Sequence, residues 1–239
     1  MMRGYKWGWL FVVLSCWTPV AGAEPAASGV AAPQRLLYPL PASGVESTQT
    51  PEEDYQAALK ADAAGDLVDS GRLYLRAAKG GHAAAQAIIA IGLRYASADK
   101  EAVEWFRKSA EQGNAIGQIG LSTMYAMGEG GLKQDFAEAR KWVIRAADQG
   151  NKQAIGIMAD AYINGKLGLD ENARNSPDAL AWIKRAADVD DVPALRALAA
   201  AYRSGQYGLA ADPKQADELD AKVGKLTGKK EEKKKKKTR

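Results

Sequence analysis

Side chains suited to covalent or metal chemistry are scarce in this chain. It has one cysteine, Cys16, and one histidine, His82. A disulfide scaffold, an iron–sulfur cluster and a Cys/His zinc site are therefore excluded. A serine triad would have to use His82 alone. His82 opens a helix beside Gly80 and Gly81 and reads as solvent-exposed. One Ser-x-x-Lys spacing exists, Ser97 to Lys100, as in serine acyl-enzymes. No Ser-Asp-Asn or Lys-Thr-Gly element accompanies it, and the spacing is equally that of Ser97 or Asp99 capping a helix. Gly128, Gly130 and Gly131 lack the lysine of a phosphate loop, so helix termination explains them better. No catalytic residue, metal or cofactor is assigned. The one enzymatic alternative is a cell-wall-acting enzyme using Ser97 and Lys100.

The elements that would have to position such groups are repeats. The pattern Y-x-x-G-x-x-G-L occurs at Tyr125–Leu132, Tyr162–Leu169 and Tyr202–Leu209. Trp105, Trp142 and Trp182 keep the same spacings of 37 and 40 residues as those tyrosines. Each Trp precedes by four residues a small pair: Ser109 and Ala110, Ala146 and Ala147, Ala186 and Ala187. Leu73 with Ala77 and Ala78 is an earlier, degenerate copy. A basic residue stands just before each pair: Arg76, Lys108, Arg145 and Arg185. Periods of this length signify stacked supersecondary units. Each unit reads as two helices, the first as in 115–127 and the second as in 135–149. Small residues let the helices approach, and the Tyr and Trp rings fill the space between hairpins. Asp135, Ser176 and Asp212 are natural N-caps, the last two followed by proline. Gly128, Gly165 and Gly205 suit the left-handed residue that ends a first helix.

These features, with the Glu-Gln-Gly-Asn of 111–114 and the Asp-Gln-Gly-Asn of 148–151, resemble the Sel-one-like repeat, a longer-looped relative of the tetratricopeptide repeat. The resemblance covers roughly residues 66–220. It implies an all-α fold, a right-handed α-solenoid of about five helix-turn-helix repeats, and a non-enzymatic protein-interaction scaffold or adaptor. It departs from the family pattern between Tyr95 and Asp99, where the glycine loop is missing. It departs again in the elongated loop 165–175, and at Leu219, which takes the Trp position of the last copy.

Charge and composition divide the chain further. The 239 residues carry a net charge of +4, but ten basic and two acidic residues lie between Lys222 and Arg239. The body is acidic, which argues against a nucleic-acid domain. Residues 1–23 read as a signal peptide: Arg3 and Lys6, then the apolar stretch Trp7–Trp17, then Ala21-Gly22-Ala23 at the cleavage positions. The expected address is the periplasm or the exterior, after cleavage at Ala23, with an envelope assembly for secretion, motility or polysaccharide export as partner. A lipoprotein anchored through Cys16 is the alternative. Residues 24–51 form a Pro/Ala/Ser-rich linker, 52–225 the solenoid and 226–239 a Lys-rich tail. The run Lys233, Lys234, Lys235, Lys236 and Lys237 could touch an anionic surface.

The helical register also suggests a binding face on the first helices. Ile88, Ile91, Ile119 and Thr123 would cover its N-terminal part, and Asp160, Arg196 and Arg203 its C-terminal part, so the groove would run from apolar to charged. For Ile88, Ile91 and Ile119, burial between hairpins is the preferred reading, because buried Ile is the common case. Arg196 and Arg203 are expected as exposed contacts, with Tyr207 exposed in a loop.

Overall fold

In a computed structural model, the structure describes residues 49–228. The proposed leader, most of the linker and the Lys-rich run lie outside them. The described residues form eleven α-helices and no strand: α1 (Pro51–Ala64), α2 (Leu67–Lys79), α3 (Ala83–Tyr95), α4 (Asp99–Glu111), α5 (Ala115–Met127), α6 (Phe136–Asp148), α7 (Lys152–Asn164), α8 (Glu171–Arg174), α9 (Pro177–Asp188), α10 (Val192–Ser204) and α11 (Pro213–Leu226). Five antiparallel hairpins result: α1–α2, α3–α4, α5–α6, α7–α9 and α10–α11, with each second helix packed on the next first helix. First helices also touch one another, α3 against α5 and α7 against α10. The chain is an all-α solenoid, as expected.

Local chemistry sets the boundaries. The α1 helix begins at Pro51, which composition alone placed in the linker. Thr50 caps it, accepting from Glu53 N while the Glu53 carboxylate accepts from Thr50 N. Such a reciprocal box satisfies two backbone donors that the helix leaves free. Every other helix except α4 also has a side-chain cap, including Asp135, Ser176 and Asp212. The exception corrects an expectation: Ala98 is the N-cap of α4, and neither Ser97 nor Asp99 caps it. Gly128, Gly165 and Gly205 stop α5, α7 and α10 with φ of 71°, 66° and 72°, a region that costs a side-chain-bearing residue about 1–2 kcal/mol.

The small pairs are the contact points between hairpins. Ala77, Ala146, Ala147, Ala186 and Ser109 are buried, as are the residues eight positions on in the next helix, Ala85, Ala154, Ala194 and Gly117. At three interfaces alanine stands in both positions of this register. At the fourth, Ser109 takes one place and Gly117 the other. A Cβ at 117 would stand 2.6 Å from Ser109 Cβ and 2.9 Å from Ala110 N. Ser109 Oγ meanwhile donates to Ala83 O at 2.7 Å. Gly117→Ala is therefore expected to lose about 1–2 kcal/mol, the strain of overpacking outweighing the gain in helix propensity. Ser109→Ala in the same chain removes the Oγ but leaves the Cβ and Ala110 N contacts in place, so it should recover only the smaller part of the loss in a urea titration.

The tryptophans are not the deepest residues. Trp105, Trp142 and Trp182 are half-buried, and the residue after each, Phe106, Val143 or Ile183, is the buried one. Each ring instead carries the basic residue three positions on: Lys108, Arg145 and Arg185 lie 4.6, 4.6 and 4.9 Å from the ring centroids. The charged head covers the exposed ring face, where cation–π attraction favours it.

Candidate interaction surface

Helix register defines a solvent-facing side on the first helices. Counting from each N-cap (His82, Asn114, Asn151 and Asp191), residues four, seven, eight and eleven along point at the core. Position five lies on a flank that is buried at Ala87 and Ile119, and positions two, nine and thirteen form the opposite side. On α3 and α5 this side is apolar: Ile91, Tyr95, Ile116 and Met127 are 36%, 67%, 46% and 51% exposed. They are half of the large exposed apolar side chains among the described residues. On α7 and α10 the same positions are Gln153, Asp160, Asn164, Pro193, Ala200 and Ser204. The surface thus changes from apolar to polar along the array.

The residues expected to bind fare unequally. Arg196 is exposed and without an ion-pair partner among the described residues. Arg203 is exposed but engaged: its guanidinium donates to Asp217 Oδ1 at 3.0 Å and Asp220 Oδ2 at 2.6 Å on α11, which raises its pKa. It stands seven residues beyond Arg196 on the same helix face, and its head reaches across to α11. Asp160 is neutralised by Lys166 at 2.7 Å. The Thr123 hydroxyl is turned back to Ile119 O at 2.9 Å. Ile119 is buried, Ile88 half-buried and Ile91 exposed, so burial and exposure are both realised. Tyr207 is half-buried against the core, in a 3-10 turn at Gln206–Gly208.

His82 is likewise not a free imidazole. Its Nδ1 accepts from Ala85 N at 3.2 Å, capping α3; its Nε2 is 2.9 Å from Glu52 Oε2, and the ring stacks on Tyr55 at 4.1 Å. It does the capping work of Asn114, Asn151 and Asp191 in later repeats. Ser97 and Lys100 do not line one groove. Ser97 occupies the turn between α3 and α4 at φ 58°. Lys100 lines a shallow groove with Glu104, Arg107, Lys108 and Glu111, which Ser97 does not reach. Among the described residues, no cluster of three or more His, Cys, Asp or Glu could hold a metal.

The repeat dimensions and the hairpin geometry decide the family. A model of the Sel1 repeat matches residues 92–114, 115–151, 154–191 and 192–216, together more than half of the chain. The chain belongs to the Sel1 repeat family. Among solved structures it is similar to a protective antigen present in uropathogenic Escherichia coli strains and displaying an SLR fold: 25% identity over 74% of this chain, TM-score 0.63. That match spans only 38% of the antigen's length. A Sel1 repeat protein from Oxalobacter formigenes shares the fold, at 24% identity over 73% of each chain and a TM-score of 0.61. No curated protein matches the sequence. Sel1 repeats in general are protein–protein interaction modules and not catalysts.

Within the Sel1 repeats a glutamine relay ties hairpins together, which the sequence pattern did not bring out. Gln112 donates to Gln86 Oε1 at 2.7 Å, and Gln86 to Ala78 O at 3.2 Å. Gln149 donates to Gln118 Oε1 at 2.8 Å, and Gln118 to Ala110 O at 3.3 Å. Each relay satisfies a carbonyl at the end of a second helix. Where the first-helix position is apolar, at Ile155 and Leu195, a cation supplies the donor: Arg185 to Ala147 O and Lys222 to Ala187 O, both at the same register. The signal lay in the paired spacing, Gln four after one N-cap (His82, Asn114) and two before the next (Asn114, Asn151).

Proposed function

We propose that this Sel1 repeat protein is an exported, non-enzymatic adaptor that binds a protein of the bacterial cell envelope through the apolar side of α3 and α5. The observation carrying this reading is the concentration of Ile91, Tyr95, Ile116 and Met127 on one solvent-facing side. Exposed apolar side chains grouped on one side mark an interaction site more often than solitary ones do. The leader read in residues 1–23 supports export of the body from the cytoplasm, with Glu24 as the proposed mature N-terminus. The run Lys233–Lys237 adds a salt-sensitive contact with an anionic surface.

Two measurements test this. Affinity capture from intact envelopes should yield a discrete partner with the wild-type chain, and less than about a tenth of it with Ile91→Glu/Met127→Glu, a loss of at least 1.4 kcal/mol. Both positions are exposed, so the helical circular dichroism should be unchanged; retained capture would overturn the surface. Mass spectrometry of the fractionated protein should find Glu24 first. A chain beginning at Met1 would overturn the export reading, and a lipidated Cys16 would replace the free protein with an anchored one.

A further inference from the structure

Three hairpins place a tryptophan ring where the last one has none. Trp105, Trp142 and Trp182 each lie in the same apolar cluster as the residues seven and eleven places beyond the N-cap of their own first helix. These are Ile89 and Leu93, Leu121 and Tyr125, and Met158 and Tyr162. The cation three residues after each Trp lies over its ring. The first and last hairpins carry leucine at the Trp position. In the first, Leu73 is buried and the cation that follows it, Arg76, is committed to Asp54. In the last, Leu219 is only half-buried. It lines an open groove of about 530 Å³ together with Leu198 and Tyr202, the residues seven and eleven beyond the N-cap of α10. Lys214, Glu218 and Lys222 stand on the same groove. Its size lies within the range of about 300–1,000 Å³ found for ligand pockets.

The cation of the motif is in place although the ring is not. Lys222 Nζ lies 2.7 Å from Asp190 Oδ1 and donates to Ala187 O at 3.3 Å. One repeat earlier Arg185 makes the equivalent contacts, donating to Asp148 Oδ1 at 3.0 Å and to Ala147 O, and still covers Trp182. Pairing with a carboxylate therefore leaves such a cation available to a ring. The groove thus presents the floor and the charge of the Trp site, with leucine in place of the indole.

We infer that the groove between α10 and α11 receives an aromatic side chain, tryptophan above all, from a peptide segment of a protein partner, which completes the last repeat in trans. The electrostatics are complementary: the face of an aromatic ring is negative and attracts an ammonium group held above it. Leu198, Tyr202 and Leu219 supply the apolar floor, and Lys222 the charge. An aliphatic side chain would gain the floor contacts alone. The site belongs to the last hairpin and shares no residue with the exposed apolar side of α3 and α5, so it goes beyond the docking surface proposed above and is tested separately from it.

Titrating N-acetyl-tryptophanamide into the intact, isotope-labelled chain tests this by nuclear magnetic resonance. Saturable shifts are expected at the amides of Leu198, Tyr202, Leu219 and Lys222. The probe should bind about fivefold more tightly than N-acetyl-leucinamide, the gain expected when a cation faces the ring. Leu219→Trp fills the groove with a ring of the chain's own; it should keep its helical circular dichroism and lose the shifts. Lys222→Gln can still donate to Ala187 O but carries no charge, and should bring the tryptophan probe down to the affinity of the leucine probe. Equal affinity of the two probes for the wild type, or unchanged binding by Leu219→Trp, would overturn the inference. A Leu219→Trp chain that loses its fold would show that the last hairpin has no room for the ring, and would overturn it too. Shifts confined to Ile91, Tyr95, Ile116 and Met127 would remove the groove and leave the adaptor surface standing.

Discussion

Phe106→Ala should lower the stability of the array by about 3–5 kcal/mol, the usual cost of removing a fully buried aromatic ring. Phe106 is 2% exposed and sits in the cluster of Ala90, Val103, Leu121 and Met124. Its ring lies against Gly120 on α5, where a Cβ would stand 2.7 Å from Phe106 Cζ. The ring and the missing side chain are thus one packing unit. Register-equivalent positions elsewhere show the reciprocal choice: Val143 with Ile157, and Ile183 with Ala197. Gly120→Ala alone should also destabilise, by about 1–3 kcal/mol, because a buried aromatic ring has little room to move. In the double variant the new methyl group enters the space the ring has left. Its loss should therefore fall short of the sum of the single losses by at least 1 kcal/mol, the coupling expected of residues in contact. Strict additivity, measured by urea unfolding, would show that the two positions do not share this contact.

The repeats and their caps were legible because they depend on residue types at fixed spacing. Tyr125, Tyr162 and Tyr202, the glycines three residues on, and Asp135 before α6 each encode a local backbone event. The loop geometry follows from them: Tyr125 O accepts from Asp135 N at 2.9 Å, and Tyr202 O from Asp212 N at 2.8 Å. In the elongated loop the same carbonyl, Tyr162 O, is satisfied by Arg174 Nε at 3.3 Å instead. That substitution, and the short α8 that positions it, carry no repeat signal. The binding face was partly legible. Register placed Arg196 in solvent, where it lies, whereas Ile91, read as buried, is exposed. It could not show that Arg203 reaches α11 or that Lys166 folds back onto Asp160, since those contacts depend on how hairpins stack. Tyr95, Ile116 and Met127 were missed because no repeat position marks them. They matter through what lies beside them, on helices that pack across a sequence separation of about thirty residues.

Arg76→Leu is expected to unfold one end of the molecule before the other. Asp54, in the first turn of α1, is 2% exposed. Its carboxylate is held by the Arg76 guanidinium from the last turn of α2, with Arg76 Nε donating to Asp54 Oδ2 at 2.6 Å. That hydrogen bond is the main reason the arginine pKa is raised. Without it a buried carboxylate remains unpaired, which costs about 3 kcal/mol. In a solenoid each hairpin touches only its neighbours, so the loss is not shared across the chain. Backbone amides of α1 and α2 should exchange at least tenfold faster in Arg76→Leu, while those of α7, α9 and α10 keep their protection. Replacing both partners by apolar residues removes the stranded charge and not the packing. Asp54→Leu added to Arg76→Leu should therefore restore most of the protection in α1 and α2. If the double variant is as labile as the single one, the first hairpin depends on the ion pair itself and not on relief from a buried, unpaired carboxylate.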